Sequence, residues 1–500
     1  MEPNPSVFLR AIRRETLSEN LLGAGIASGA SYVIMQRGAE VLAQLILRNE
    51  HVPGMLRERI PQQKDWLRRI LKRLERRGIV VPKSLIRAIE CASAVDSEPG
   101  ETDVRTYDLI NEGLASGIRA LREEPGHSAD ETEFTSDICQ AICLAEVRLR
   151  EEYSSRLEQL KRNDDAGMRQ DLALPAPTAA QIEFYLRARF PGDPASEVHN
   201  VQRLVGDNSK DIFFFDIEGS AAINGSYVLR REPAYNVTQA SLASEYELII
   251  HLKSAGLPVP RALAGEADPK HLQAGFIMVE RLPGATRSPD KLGTNGKQIL
   301  KEIARISAQI HQIAIPCHLP QFADASQPSR RRMLARVDAM YRRWELERSE
   351  GSVIVEAAYH WLRANIDCLD DKSVLTHGDY SLRNILLDGD RISGILDWEL
   401  CCVSHPAEDL AYIRSWVEPA MPWQEYLDAY RAHSGYDVTS EALWYYSVWV
   451  RFWNLVIGAA AYSGYHLNKH RNFVYASVAC VEYRESLDCL ARLIADSPRR

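Results

Sequence analysis

The chain lacks the features that would place it in a membrane or outside the cell. Its first sixteen residues contain no apolar signal-peptide core, and the most apolar early stretch, Leu21–Leu47, is interrupted by Arg37 and Glu40. The nine cysteines form no metal-binding spacing, and their odd number suits a reducing compartment. We therefore expect a cytoplasmic protein without a transmembrane segment.

The chain also has no excess of positive charge. The chain has 60 Lys and Arg against 68 Asp and Glu, a net charge of −8, so nothing global indicates a nucleic-acid partner. Residues 57–77 hold nine basic side chains against three acidic ones. A solvated helix face is the simplest interpretation of that stretch, and a surface for an acidic membrane, an acidic partner or CoA phosphates is the alternative.

Length and periodicity predict more than one domain. A chain of 500 residues is too long for one ordinary core. Residues 1–165 have helical periodicity almost throughout, and the polar, then Pro-rich stretch 162–177 is predicted to be a linker. A short helix with Thr178 as its N-cap follows. Beyond it, strand, helix and strand signals occur in the order Val201–Val205, Ile212–Ile217, Ser226–Arg231, Ser241–Ala255, Leu257–Pro260 and Gly275–Arg281.

What the chain does contain, within residues 375–399, is a set of polar side chains at the spacing that phosphoryl transfer requires. Asp379 precedes Asn384 by five residues, and Asp397 follows thirteen residues later at the end of an apolar, strand-like run. One carboxylate can accept a hydroxyl proton, while the amide and the second carboxylate can hold Mg²⁺ on the phosphates of ATP. A polar turn between two buried strands explains the Gly-Asp and Asp-Gly pairs alone but not the whole pattern. We predict Asp379 as the catalytic base and Asn384 and Asp397 as metal ligands.

These residues resemble the aminoglycoside phosphotransferase/choline kinase superfamily. The resemblance is carried by H-G-D-x-x-x-x-N over 377–384, L-D-W-E over 396–399 and P-A-E-D-L-A over 406–411, and it extends over about residues 178–500. It implies that Asp409 holds the backbone of the catalytic loop and that His377 braces this loop. The family usually has Gly-Asp-Pro where this chain has Ser-His-Pro at 404–406, a departure in a supporting loop.

The resemblance also implies a phosphate loop over residues 205–211. Gly206 and Ser209 match the family's Gly-Gly-x-Ser-Asn pattern, whereas Asp207 replaces its second glycine. A carboxylate beside nucleotide phosphates repels them unless it points away or meets a cation.

Three further nucleotide contacts follow from the same resemblance. Arg230 stands where most of the superfamily has the lysine that contacts the α- and β-phosphates. Glu245 is the best match for the helix carboxylate that orients this cation, and Glu247 remains an alternative. Glu280 lies in the segment expected to be the hinge, whose backbone would bind the adenine edge.

We therefore predict an α+β protein in which an all-α N-terminal domain precedes a bilobal protein-kinase-like domain. The helical domain and linker span residues 1–175, and the phosphotransferase domain spans 176–500. The latter comprises a small antiparallel-sheet N-lobe over about 198–284 and a mainly helical C-lobe over about 285–500. ATP and Mg²⁺ are the expected cofactors.

The phosphate acceptor is predicted to be a hydroxyl of a small molecule. The run V-L-R-R-x-P at 228–233 is similar to the hydroxyacyl-CoA kinase-like branch, which implies a hydroxyl on an acyl chain. An aminoglycoside or amino-alcohol kinase is the alternative. A non-catalytic nucleotide-binding scaffold is a second alternative, motivated by Arg230 and Asp207. The oligomeric state stays open.

Overall fold

The computed structural model describes residues 59–93, 101–123, 133–145, 175–191, 197–204, 210–220, 222–232, 242–348, 352–466 and 483–496. The apolar stretch 21–47, residues 162–174 of the predicted linker and residues 205–209 of the predicted phosphate loop lie outside these ranges. The chain divides into two compact units. The first comprises 1–171, 337–365 and 451–500, and the second comprises 172–336 and 366–450. The predicted domain limits at 175 and 176 remain a prediction.

Helices make up all the described secondary structure of the first unit. They are α1 (Ile60–Arg77), α2 (Lys83–Ser93), α3 (Glu101–Glu123), α4 (133–145), the second part of α8 (Ser329–Glu347), α9 (Val353–Ala364), the second part of α12 (Ser440–His466) and α13 (Tyr483–Ala495). Helix α1 has a proline in its first turn and ends at Gly78 with φ +66°. Its apolar face is buried, and Arg68, Arg69, Lys72 and Arg76 lie on its polar face, as expected for a solvated basic helix. None of the helices in the described part of the chain is long and apolar enough to span a membrane.

A buried carboxylate joins three helices of the first unit. Glu356 on α9 is 1% exposed and lies 2.5 Å from Nη2 of Arg119 on α3. The hydroxyl of Tyr341 on α8 donates to both Glu356 oxygens, each at 2.8 Å. Burial raises the pKa of Glu356, and the hydrogen bond and charge of Arg119 oppose this rise. Segments distant in the sequence therefore share one charged core contact.

The second unit begins with a helix and an antiparallel sheet. These are α5 (Ala179–Arg189), β1 (Glu197–Leu204), β2 (Asp211–Glu218), β3 (Gly225–Arg231), α6 (Leu242–Ser254), β4 (Ala262–Glu266) and β5 (Phe276–Glu280), with strand order β1-β2-β3-β5-β4. Thr178 caps α5 in a capping box with Gln181. Alternate residues such as Phe213, Phe215 and Leu229 are buried in a core with α5. The segment Leu257–Pro260 is not a strand, and β4 lies just beyond it.

The rest of the second unit is mainly helical and contains two short strand pairs. Its elements are α7 (Gly296–Ile310), the first part of α8, β6 (Val374–Thr376), β7 (Ile385–Asp388), β8 (Arg391–Ile395), β9 (Cys402–Ser404), α10 (Ala407–Val417), α11 (Trp423–Ser434) and the first part of α12. Strand β6 pairs with β9, and β7 pairs with β8. Ala285 pairs with Leu387 on β7, and the N–H of Ile395 donates to the carbonyl of Pro258 at 2.7 Å. These contacts connect the segments that flank the five-stranded sheet to the strands that carry the predicted catalytic residues.

Candidate active site

The loop that follows β6 is held by a buried carboxylate. Asp409, in the first turn of α10, accepts the N–H of His377 at Oδ2 (2.8 Å) and the N–H of Gly378 at Oδ1 (2.9 Å). Burial alone would raise the pKa of Asp409. The hydrogen bond and charge of His311, whose Nε2 lies 3.0 Å from Oδ2, lower this pKa below its ordinary value. The support predicted for Asp409 is confirmed.

Two histidines brace this loop and its anchor. Nε2 of His377 donates to the carbonyl of Leu396 at 2.9 Å, and Nδ1 accepts the N–H of Asp379 at 3.2 Å. Nε2 is the donor and Nδ1 the acceptor, since a carbonyl only accepts and an amide N–H only donates. His377 therefore braces the loop, as predicted, and links it to the strand end before Asp397. His311 is buried, with its Nδ1 2.8 Å from the Tyr430 hydroxyl, and it orients Asp409.

The structure brings Asp379 and Asn384 into direct contact. Nδ2 of Asn384 donates to the backbone carbonyl of Asp379 and to its Oδ2, each at 3.0 Å. The other carboxylate oxygen, Oδ1, is buried and has no hydrogen-bond partner among the described residues. Burial raises the pKa of Asp379; the charge of Arg383 opposes the rise, and that of Asp397 adds to it. A basic carboxylate oxygen without a partner is suited to accept a proton.

Asp397 forms an ion pair with Arg230 of β3. It has φ +65° and ψ +62°, a left-handed conformation that costs a non-glycine residue about 1–2 kcal/mol and is typical of functional sites. Nη2 of Arg230 lies 2.5 Å from its Oδ1, while Nη1 of the same guanidinium binds Oε1 of Glu245. Glu245 is buried and also accepts the N–H of Trp398 at 3.2 Å, whereas Glu247 has no described contact with Arg230. The geometry therefore selects Glu245 over Glu247 as the partner of Arg230.

A second buried ion pair lies beside Asp397, and the sequence analysis missed it. Nζ of Lys210, which directly precedes β2, lies 2.6 Å from Oε2 of Glu399; the two side chains are 0% and 4% exposed. Burial and the charge of Asp397 raise the pKa of Glu399 to about 7, and Lys210 opposes this rise. The signal in the sequence was a second acid two residues after Asp397 and a lysine near the end of the predicted phosphate loop.

The remaining predicted nucleotide contacts are Gly206, Ser209 and Glu280. Gly206 and Ser209 lie outside the described residues, as does Asp207. Glu280 ends β5, and its N–H donates to the carbonyl of Arg261 at 2.9 Å. This N–H is therefore not available to an adenine. The role of Glu280 in the hinge, and those of Gly206 and Ser209, stay predictions.

The donors around Asp397 suit Mg²⁺. Because Nδ2 of Asn384 faces Asp379, its Oδ1 is left to bind a cation, and Asp397 adds a carboxylate. The part of the chain that the structure describes has no cluster of three or more His, Cys, Asp or Glu side chains placed to hold a metal. Mg²⁺ usually needs only one or two carboxylates because substrate phosphates and water supply its remaining oxygen ligands.

Gly378→Ala is expected to destabilise the protein far more than Gly389→Ala. Gly378 has φ +83°, and an added Cβ would lie 2.3 Å from the carbonyl oxygen of Leu400. Gly389 has φ +57° but no described atom within 4 Å of an added Cβ. The first change combines a clash with left-handed strain and should cost about 3 kcal/mol, against about 1 kcal/mol for strain alone. Urea unfolding of both variants measures the loss in free energy of unfolding, and equal losses for the two variants would contradict the predicted clash at Gly378.

Residues 200–442 match the family model described as "Phosphotransferase enzyme family". The match confirms the resemblance recognised in the catalytic loop. The chain is 27% identical over 236 residues to acyl-CoA dehydrogenase family member 11 of Gallus gallus, which is 45% of this chain and 28% of that protein. It is 25% identical over 241 residues to probable acyl-CoA dehydrogenase IBR3 of Arabidopsis thaliana, with the same two shares of 45% and 28%. The match therefore spans less than a third of the length of these curated relatives.

A solved structure has a similar fold. It is described as a putative aminoglycoside phosphotransferase from Ralstonia eutropha JMP134, and it matches with a TM-score of 0.50 at 19% sequence identity, covering 64% of this chain and 99% of that one. At this identity the likeness establishes the fold alone. The predicted α+β, kinase-like fold with a five-stranded antiparallel sheet and a mainly helical remainder is confirmed.

Proposed function

We propose that the chain transfers the γ-phosphate of ATP to the hydroxyl of a small molecule, because residues 200–442 match the model of the phosphotransferase enzyme family. The observation that carries the proposal is the cluster at the ends of β6 and β8. There Asn384 bonds to Asp379, and Asp397 bonds to Arg230, which in turn bonds to Glu245. The five side chains are those that phosphoryl transfer requires as base, metal ligands and phosphate cation with its orienting carboxylate.

Asp379 acts as the base in this proposal. Its unpartnered Oδ1 accepts the proton of the acceptor hydroxyl as the acceptor oxygen bonds to the γ-phosphorus. The bond between the γ-phosphorus and the β–γ bridging oxygen breaks, and ADP leaves with that oxygen. Burial, which raises the pKa of Asp379, makes the carboxylate a stronger base.

ATP and Mg²⁺ fit the remaining side chains. Asn384 and Asp397 would hold the metal ion, which supplies positive charge to the β- and γ-phosphates. Arg230, oriented by Glu245, would contact the phosphates, and the loop with Gly206 and Ser209 would cover them. The segment that contains Glu280 would contact the adenine.

For the acceptor we propose an anionic alcohol, with a hydroxyacyl-CoA as the leading candidate. Arg383 lies in the catalytic loop one residue before Asn384, is exposed, and has no ion pair within the described ranges. Its guanidinium lies 5.4 Å from the ring centroid of Trp416, and its charge acts on Asp379. A cation beside the base favours acceptors with phosphate or carboxylate groups and disfavours polycationic aminoglycosides. The acyl-CoA named in the relatives' descriptions is such an anion.

Charge reversal at Arg383 tests this choice. Arg383→Glu is expected to lower kcat/KM for an alcohol that carries a phosphate by about ten-fold or more, and to raise it for a matched amino alcohol. Arg391→Glu, at an exposed position in the β7–β8 hairpin, is the matched control and should change neither value. An equal fall for both acceptors would contradict charge selection.

The function itself is tested by a mass-spectrometric screen for phosphorylated products over hydroxyacyl-CoAs, aminoglycosides and amino alcohols. We expect product from hydroxyacyl-CoAs, with stoichiometric ADP. Phosphorylation of aminoglycosides alone would overturn the acceptor. ATP binding without turnover of any alcohol would favour the nucleotide-binding scaffold.

A further inference from the structure

The buried pair of Lys210 and Glu399 has no place in the proposed reaction as described so far. Both side chains are almost completely removed from solvent, and their charged atoms lie 2.6 Å apart. Burying two ions carries a large desolvation cost, so such a pair adds little stability compared with apolar side chains of the same size. Its position next to Asp397 therefore calls for a role other than stability.

Ion pairs place Lys210 and Arg230 beside the same turn, at residues 397–399. Ile212 on β2 lies directly opposite Arg230 on β3, so these two side chains share a face. Lys210 directly precedes β2, and its ion pair with Glu399 brings its side chain to the turn that Arg230 also reaches. The intervening Asp211 points to the other face, where it pairs with Arg231 at 2.9 Å. Two cations thus approach the 397–399 turn, one from β3 and one from the residue that directly precedes β2.

Arg230 and Lys210 bind the two carboxylates that stand on either side of Trp398 in the sequence. Arg230 binds Asp397, and Lys210 binds Glu399 two residues later. Arg230 is also bound to Glu245, so one end of its guanidinium is already committed. Nucleotide phosphates arriving at this point need positive charge, and Lys210 is a second source of it, supplied by the end of the predicted phosphate loop.

We infer that Lys210 is a phosphate-binding residue of the nucleotide site and that Glu399 holds its ammonium in place and competes with the phosphates for it. The inference depends on the proposed function, since it needs a bound nucleotide.

Three variants separate this role from a structural one. Lys210→Met removes the cation and takes the ion pair with Lys210 away from buried Glu399, a loss that by itself can unfold the protein. The double variant Lys210→Met/Glu399→Gln removes both charges and is expected to fold. Glu399→Gln alone leaves the cation without its competitor. Lys270→Met is the matched control, because Lys270 forms an exposed pair with Asp268 at 2.8 Å on the β4–β5 connection.

Calorimetric titration with ATP, once with Mg²⁺ and once with EDTA, is the measurement. We expect the double variant to bind Mg²⁺–ATP about ten-fold or more weakly than the unmodified chain. We expect Glu399→Gln to bind ATP several-fold more tightly in EDTA, and Lys270→Met to match the unmodified chain.

Wild-type affinity in the double variant would overturn the inference, because it would mean that the pair serves folding alone, and it would leave the proposed function intact. If Glu399→Gln bound ATP in EDTA as the unmodified chain does, the inferred competition between Glu399 and the phosphates for Lys210 would be wrong. Failure of the unmodified chain to bind ATP at all would overturn both the inference and the proposed function.

Discussion

Asp379→Asn is expected to lower kcat about 10²–10⁴-fold while leaving the affinity for ATP within a few-fold of its original value. The change keeps the shape of the side chain and its contact with Asn384, but the amide cannot take the acceptor proton at the position of Oδ1, which has no described partner. Single-turnover kinetics with the best acceptor from the screen, together with ATP titration, measures both quantities.

Asp388→Asn provides the control for this change. Asp388 is an exposed carboxylate at the end of β7 in the same hairpin, and its neutralisation should leave kcat unchanged. If Asp379→Asn reduced the affinity for ATP and the turnover number in parallel, Asp379 would belong to the nucleotide site and not to proton transfer. If turnover were unaffected, the proposed base would be wrong.

Arg119→Met is expected to lower the free energy of unfolding by about 3 kcal/mol, although Arg119 is far from the catalytic loop in sequence. The change leaves Glu356, which is 1% exposed, without its cation, and a single unpaired buried charge is among the most costly defects in a core. The loss falls at the lower end of the usual range because the Tyr341 hydroxyl still donates to Glu356. Urea unfolding measures it.

The double variant Arg119→Met/Glu356→Gln should recover most of that loss, because the glutamine side chain has no charge and still accepts a hydrogen bond from Tyr341.

A fragment of residues 176–500 tests whether the part of the chain after the predicted boundary folds without Arg119. It keeps Glu356 and lacks the whole of α3, so we expect it to unfold without a cooperative transition or to aggregate. A fragment as stable as the full chain would contradict this and would support the predicted boundary at 175.

The catalytic loop could be predicted from the sequence because its chemistry is local. Asp379 and Asn384 lie five residues apart in one turn, and the short spacing leaves few ways to arrange them. The role of Asp409 followed from the family resemblance, which includes the P-A-E-D-L-A motif on the next helix. The five-stranded sheet was harder to delimit. Its strand β4, Ala-Leu-Ala-Gly-Glu, has weak strand propensity and is formed by pairing with β5.

Ion pairs between distant segments could not be predicted in the same way. Glu245 and Glu247 are two residues apart on a helix, so they point in different directions, and only the packing of α6 decides which one meets Arg230. The pairs Lys210–Glu399 and Arg119–Glu356 join residues 189 and 237 positions apart. No local pattern carries that information.

The sequence by itself determined the type of chemistry, because the base and the metal ligands must stand at fixed short spacings in one loop and one strand end. The tertiary structure decided which charges surround them: it excluded Glu247 in favour of Glu245, the better match in the sequence, and it alone placed Lys210 on Glu399 and Arg383 beside Asp379 without a described carboxylate partner. The physical reason is that Coulomb interactions and desolvation depend on distance and burial in space, and both are set only when strands and helices from different parts of the chain pack together.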